Sequence, residues 1–232
     1  MNSALILAAG RGERMRPLSD TMAKPLLPAG GRRLIEWQIE SLVHAGIVEL
    51  VINTAHLAVQ IEAALGDGSR YGARIRYSRE GTTAQDALET LGGIVKALPM
   101  LGPHPFLVTS SDIVTDFDFR DLASAADRIA RGEFDAHLVL VQNPSYHPKG
   151  DMGLIPGADG WIATRKAPLY TYANIGILAP RLFAGLAPVR APLFPWLFDT
   201  VERGRASAQL WGGRWWNVGT PQDLAIVDKI CR

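Results

Sequence analysis

The stretch Leu7-Ala8-Ala9-Gly10-Arg11-Gly12-Glu13-Arg14-Met15-Arg16-Pro17 decides the fold. It closes a short apolar run, residues 3–8, that reads as a buried strand because glycine stops it before it is long enough for a helix. Small residues directly after a strand let backbone N–H groups approach phosphates and a base closely. The stretch is not a Walker loop, because no Gly-Lys-Ser/Thr follows. It is a poor dinucleotide fingerprint, because Met15 occupies the third small position. A glycine-rich turn that holds nothing is the bland alternative. Against it stands the clustering of Arg11, Arg14, Arg16 and Lys24 at one strand end. Arg14 brings a planar fork suited to phosphate oxygens, and Lys24, in Lys24-Pro25-Leu26-Leu27-Pro28, brings a compact point charge.

Working outward, apolar runs alternate with amphipathic segments. Helical spacing covers residues 34–45, 57–65 and 122–130. A further helix is expected over 87–98, interrupted at Gly92 and Gly93. Strands are expected over 49–53, 74–78, 106–109 and 136–141. This order predicts an α/β fold: a Rossmann-like, mostly parallel sheet with helices on both faces. Ligands of such sheets sit beyond the C-terminal strand ends, which singles out residues 9–24, the region of Glu80, residues 110–112 and the segment after Val141. After Asn143 the texture turns to glycine, proline and short β-like pieces (160–164, 169–178), predicting a small antiparallel extension. Helices are expected over 180–186 and 195–203, and a strand over 215–218. A last helix over 221–230 is capped by Thr220, with Pro221 and Asp223 in its first turn.

Composition narrows the function. The chain has 232 residues, 47% of them apolar, enough for one cored domain (1–232) and against global disorder. With 24 Lys+Arg against 23 Asp+Glu, the net charge of +1 argues against coating nucleic acid or an anionic membrane. Cys231 is the sole cysteine, which excludes an intrachain disulfide and a cysteine-based zinc site. The first residues lack the layout of a signal peptide and the length of a membrane helix, so a cytoplasmic protein is expected.

Taken together, Gly10-x-Gly12-x-Arg14-Met15-x-Pro17 and Lys24-Pro25 resemble the signature of the sugar-1-phosphate nucleotidyltransferases. Glu80, Leu88-Glu89-Thr90 and Gly92-Gly93 resemble that family's base-binding segment. Ser111-Asp112 resembles its metal-binding Gly-Asp, and Trp216-Asn217-Val218-Gly219-Thr220-Pro221 its late Asp-x-Gly-Thr-Pro. Further phrases, among them Leu65-Gly66-Asp67-Gly68-Ser69-Arg70-Tyr71-Gly72 and Thr115-Asp116-Phe117-Asp118-Phe119, are similar to those of the bacterial N-acetylmuramate-1-phosphate uridylyltransferases of peptidoglycan recycling.

The resemblance implies UTP and a sugar 1-phosphate as substrates and Mg²⁺ as cofactor, with no nucleic acid or membrane partner and a monomer or small homo-oligomer. It implies Lys24 and Arg14 as catalytic groups. Ala8, Ala9, Gly10, Arg11, Gly12, Lys24, Glu80, Leu88 and Thr90 would bind the nucleotide from a core of residues 1–142. Asn143, Gly150 and Asn174 would bind the sugar from residues 143–232, and Asp112 and Asn217 the metal. For Asn174, a turn or bulge asparagine beside Gly176 is an alternative of nearly equal weight. Asp116 and Asp118 read better as turn and helix-capping acids, and Trp211, Trp215 and Trp216 as packing. Asn217 stands where relatives carry aspartate, which leaves weaker metal binding or a nucleotide-binding regulatory protein open. Mannose-1-phosphate guanylyltransferase, or another hexose-1-phosphate enzyme, is the alternative within the family.

Overall fold

The computed structural model describes residues 1–231. Its N-terminal half is built from β1 (Ser3–Leu7), α1 (Leu34–His44), β2 (Glu49–Thr54), α2 (Ala58–Leu65), β3 (Arg74–Arg79), α3 (Glu89–Leu101), β4 (Phe106–Ser110), β5 (Ile113–Thr115), α4 (Ala123–Ala130) and β6 (Ala136–Val141). The remainder contributes β7 (Met152–Gly157), β8 (Gly160–Thr164), β9 (Leu169–Leu178), α5 (Trp196–Glu202), β10 (Ala206–Trp211), β11 (Trp215–Asn217) and α6 (Pro221–Ile230).

Nine strands form one sheet in the order β3-β2-β1-β4-β9-β6-β10-β8-β7. The first four are parallel neighbours; β9 enters antiparallel between β4 and β6, and β10 is parallel to β6. Following these pairings, only β9 and β8 run against the other strands, so the sheet is mostly parallel, as expected. The antiparallel extension is a continuation of this sheet. A short ribbon pairs β5 with β11, Ile113 opposite Asn217 and Val114 opposite Trp216.

Alternation along β1 explains the layering. Ala4 and Ile6 point into a core with Ile35, Ile39, Leu42, Ile61 and Ile129, under α1, α2 and α4. Leu5 points into the opposite core with Ile94, Phe106, Val108, Leu197 and Val201, under α3 and α5. A third, smaller core gathers Met15, Leu27, Ala29, Leu34, Val114, Val218 and Val227. Met15, the residue that spoils the dinucleotide pattern, is fully buried there. It anchors the glycine-rich loop to the C-terminal part of the chain.

Three expectations need correction. The helix expected over 87–98 is α3, Glu89–Leu101, and runs unbroken through Gly92, Gly93 and Pro99. The helix expected over 180–186 is one 3₁₀ turn, Pro180–Phe183. A strand, β7, forms where none was assigned. The cap of α6 forms as expected: Thr220 Oγ1 accepts from Asp223 N at 3.2 Å, and Asp223 Oδ2 accepts from Thr220 N at 2.8 Å.

Candidate active site

In the parallel part of the sheet, β1 is where connections diverge, towards β2 and β3 on one side and β4 on the other. A crevice is expected beyond the C-terminal ends of β1 and β4. A cleft of ≈ 290 Å³ lies there, lined by Ala8, Ala9, Gly10, Gly12, Lys24, Asn53, Glu80, Glu89, Thr90 and Asp112 among others.

The glycine loop leaves β1 and turns at Gly12, whose φ of +70° is in the left-handed region. A Cβ on Gly12 would stand 2.9 Å from Lys24 Cδ, so glycine also lets the lysine stem cross the loop. Lys24 Nζ donates to Asp112 Oδ2. The two side chains are only 12% and 21% exposed, so the ion pair is well shielded. Asp112 is held from several sides. Ser111 N donates to Leu7 O at 3.0 Å, and Val218 N to Asp112 O at 2.9 Å. Gln38, buried on α1, donates to Ile113 O at 2.7 Å and accepts from Thr109 Oγ1 at 2.8 Å.

The other wall is a buried relay. Ala8 N donates to Asn53 Oδ1 at 2.7 Å, Asn53 Nδ2 to Glu80 Oε1 at 2.6 Å, and Leu88 N to Glu80 Oε2 at 2.6 Å. Burial raises the Glu80 pKa, opposed by the hydrogen bonds from Leu88 N and Asn53 and by the Lys96 charge. Gly93 makes the relay possible, since a Cβ there would lie 2.4 Å from Glu80 Oε1 and 2.8 Å from Asn53 Nδ2. Asn53 and Gln38 were missed by sequence reasoning. Asn53 had a usable signal, a polar residue at the C-terminal end of an apolar strand, where ligands of such sheets gather. Gln38 had none, because a polar residue on an amphipathic helix reads as solvent-facing.

A second cavity of ≈ 240 Å³ shares Leu7, Thr90 and Ser110 with the cleft and adds Val108, Tyr172, Asn174, Pro192, Leu193 and Phe194. Asn174 therefore lines a cavity and also sits in a bulge: its φ is +56°, and the β9 register shifts between Tyr172 and Gly176. The bulge reading is met, and the residue also faces the cavity beside the cleft.

Several candidates stand elsewhere. Arg11 pairs with Glu13 at 3.3 Å and Asp20 at 3.5 Å, and Arg16 pairs with Asp20 at 2.9 Å, so the loop's cations do not converge on one point. Arg14 lies outside the cleft lining, its Nη2 3.0 Å from where a Gly219 Cβ would be. Leu88 faces Glu80 through its N–H rather than lining the cleft. Asn143 is engaged by Leu169 O at 2.9 Å, Pro148 O at 3.2 Å and Thr171 Oγ1 at 2.9 Å, and Gly150 packs against it; neither lines either cavity. Asn217 pairs with Ile113, next to Asp112 along β5, and its buried Oδ1 has no hydrogen-bond partner among the described residues. Asp118 caps the 3₁₀ turn at Phe119 by accepting from Arg120 N at 2.9 Å, and Asp116 binds Arg214 at 2.8 and 2.9 Å. Asp118 is thus a capping acid, as expected, whereas Asp116 caps nothing and instead ties down Arg214. Trp211 packs edge-on against Phe117, and Trp215 donates to Ala173 O at 3.0 Å.

A Rossmann-like sheet with a glycine loop, a lysine and a carboxylate at its switch point defines a nucleotide-binding α/β protein. Residues 3–155 match the model of the nucleotidyl transferase family. The chain is 46% identical over 94% of its length to the N-acetylmuramate alpha-1-phosphate uridylyltransferase of Neisseria meningitidis, of which it covers 93%. It is 32% identical over 94% of its length to the protein of the same name from Caulobacter vibrioides, covering 92% of it. A solved structure described as a putative glucose-1-phosphate thymidylyltransferase from Bacillus anthracis shares the fold, with a TM-score of 0.81 at 19% identity, covering 100% of this chain and 95% of that one. The chain belongs to the nucleotidyl transferase family and is a nucleotidyltransferase. No helix among the described residues is long and apolar enough to cross a membrane.

Proposed function

We propose that the protein transfers the uridylyl group of UTP to N-acetylmuramate 1-phosphate, giving UDP-N-acetylmuramate and pyrophosphate, in cytoplasmic peptidoglycan recycling and as a monomer or small homo-oligomer. The observation that carries this reading is the shielded Lys24–Asp112 pair under the glycine loop of a chain 46% identical to the Neisseria uridylyltransferase.

The nucleophile is a phosphate oxygen of the sugar 1-phosphate. Its second pKa is near ~6, so at neutral pH it needs no general base. Its oxygen forms a bond to the α-phosphorus of UTP while the bond to the bridging oxygen breaks, and pyrophosphate leaves with that electron pair. The protein's task is alignment and charge compensation. Backbone N–H groups of Gly10, Arg11 and Gly12 cradle phosphate oxygens. Lys24 exchanges its carboxylate partner for phosphate oxygens, and Arg14 adds charge from the Gly219 side. Glu80 and Asn53 hold the Ala8 and Leu88 backbone that shapes the base pocket, with Thr90 on the same wall. Asn174 and Tyr172 face the sugar in the adjoining cavity.

A divalent ion fits this set. Asp112 offers carboxylate oxygens, and the unpartnered Oδ1 of Asn217 is a second oxygen donor on the paired strand. Those two residues would hold Mg²⁺, which neutralises charge on the phosphates when bound.

The test is pyrophosphate release from purified protein with UTP, Mg²⁺ and a panel of sugar 1-phosphates. Release is expected with N-acetylmuramate 1-phosphate. No release with any sugar, across all four nucleotides, overturns the reading.

A further inference from the structure

Resting on that proposed reaction, we propose that Arg190 determines acceptor specificity by binding the carboxylate of the lactyl ether that distinguishes N-acetylmuramate from plain hexosamines. The second cavity beside the cleft carries polar groups suited to hydroxyls and an acetamide, Thr90, Ser110, Tyr172 and Asn174, but no charged side chain. Pro192, Leu193 and Phe194 form one side of its lining. Just ahead of them in the chain stands Arg190, whose Nε lies 3.1 Å from Glu89 Oε1, and Glu89 lines the cleft that holds Lys24 and Asp112. Arg190 thus links the chain that lines one cavity to Glu89, which lines the other.

Its backbone is fixed there. Ala191 N donates to Leu88 O at 3.0 Å, and Ala191 O accepts from Leu91 N at 3.0 Å and Gly92 N at 3.3 Å. Gly92 permits this approach, since a Cβ would fall 2.1 Å from Val189 O. The Arg190 side chain, in contrast, is free to change partners. It and Glu89 are 63% and 41% exposed, so their ion pair is weak and exchangeable. A guanidinium also matches a carboxylate with two parallel N–H donors, which a monodentate contact to Glu89 does not exploit. Other cations near the two cavities have partners: Lys24 has Asp112, Lys96 has Glu80 O at 3.4 Å, Arg11 has Glu13 and Asp20, and Arg165 has Asp151 O and the Phe198 ring. In this scheme Glu89 holds the guanidinium in place and excludes acceptors that cannot displace it with a carboxylate of their own.

The test is calorimetric binding of UDP-N-acetylmuramate and UDP-N-acetylglucosamine to wild type, Arg190→Ala and Arg190→Lys, with KM and kcat for the two sugar 1-phosphates. In Arg190→Ala, UDP-N-acetylmuramate is expected to bind about tenfold or more weakly, and UDP-N-acetylglucosamine within about twofold of wild type, as for loss of one charge-assisted contact. KM for N-acetylmuramate 1-phosphate should rise with kcat nearly unchanged, and Arg190→Lys should recover part of the loss. Equal weakening of both ligands would mean that Arg190 merely supports the wall; unchanged binding would mean it plays no part. Either overturns the inference while the proposed reaction stands. Wild type that binds neither UDP-sugar overturns the reaction itself, and this inference with it.

Discussion

Lys24 and Asp112 illustrate how much a single contact concentrates. A lysine at the end of a loop and an aspartate at the end of β4 are far apart in sequence, yet the fold places them in one shielded ion pair. Asp112 sits between Leu7 and Val218 through its own and its neighbour's backbone, so its carboxylate is held at the cleft. Asp116, only a short way along the chain, serves Arg214 on an exposed surface. For the proposed reaction, Asp112→Ala is therefore expected to lower kcat/KM by about 10²-fold or more, because it removes preorganised charge from the cleft. Asp116→Ala should change it by less than about threefold, because an exposed ion pair contributes little. Pyrophosphate release by the two variants decides; equal losses would relocate the metal-binding carboxylate. Much of this was legible in the sequence: Gly12, Lys24, Glu80, Thr90 and Asp112 all line the cleft. The directions of Arg11 and Arg14 were not. They depend on the left-handed turn at Gly12 and on partners such as Asp20 and Gly219 that no local pattern relates to them.

At the scale of elements, α3 is the instructive case. Glycines in a helix ordinarily weaken it, and that is why a break at Gly92 and Gly93 was expected. The helix persists because the absent side chains are what its neighbours require. Val189 O occupies the space over Gly92, and the Glu80–Asn53 pair occupies the space over Gly93. Tertiary packing overrides propensity here, and only the folded neighbours reveal it. Gly93→Ala should destabilise the protein by about 1–3 kcal/mol, as overpacking does, and weaken UTP binding by spreading the relay from Ala8 to Leu88. Urea unfolding and UTP titration measure the two effects; a variant with native UTP affinity would show that the relay does not shape the base pocket. The start of α6 was legible because a capping box is a local motif. Thr220→Ala should cost about 1 kcal/mol in the same urea experiment, since it removes the acceptor for Asp223 N and one of three donors to the Asp223 carboxylate.

For the whole molecule, strand direction was inferable and strand neighbourhood was not. The alternation of apolar runs and helices implies parallel strands, but nothing local says that β9 inserts between β4 and β6. That insertion makes β6 an interior strand, flanked by β9 and β10, and it buries His137. The imidazole is held by Ser207 Oγ at 2.9 Å and Gln209 Oε1 at 3.0 Å. Burial drives its pKa down to about 4, against the Gln209 hydrogen bond and with help from the Arg128 charge. Unfolded, the ring takes up a proton near its ordinary 6.5; folded, it stays neutral until about 4. Between those values the unfolded chain binds more protons, so stability falls as the pH drops through this window, by an amount on the order of 3 kcal/mol. Glu80, whose pKa is raised, works in the opposite sense just above its ordinary 4.5. Asp118, held down to about 2, loses its contribution only below its ordinary 3.8. Both groups are common to wild type and His137→Gln, so comparing the two isolates the histidine. Urea unfolding from about pH 7 to about pH 4 should give a clearly shallower decline for His137→Gln, whatever its absolute stability. Parallel declines would mean that another group carries the acid sensitivity of the sheet.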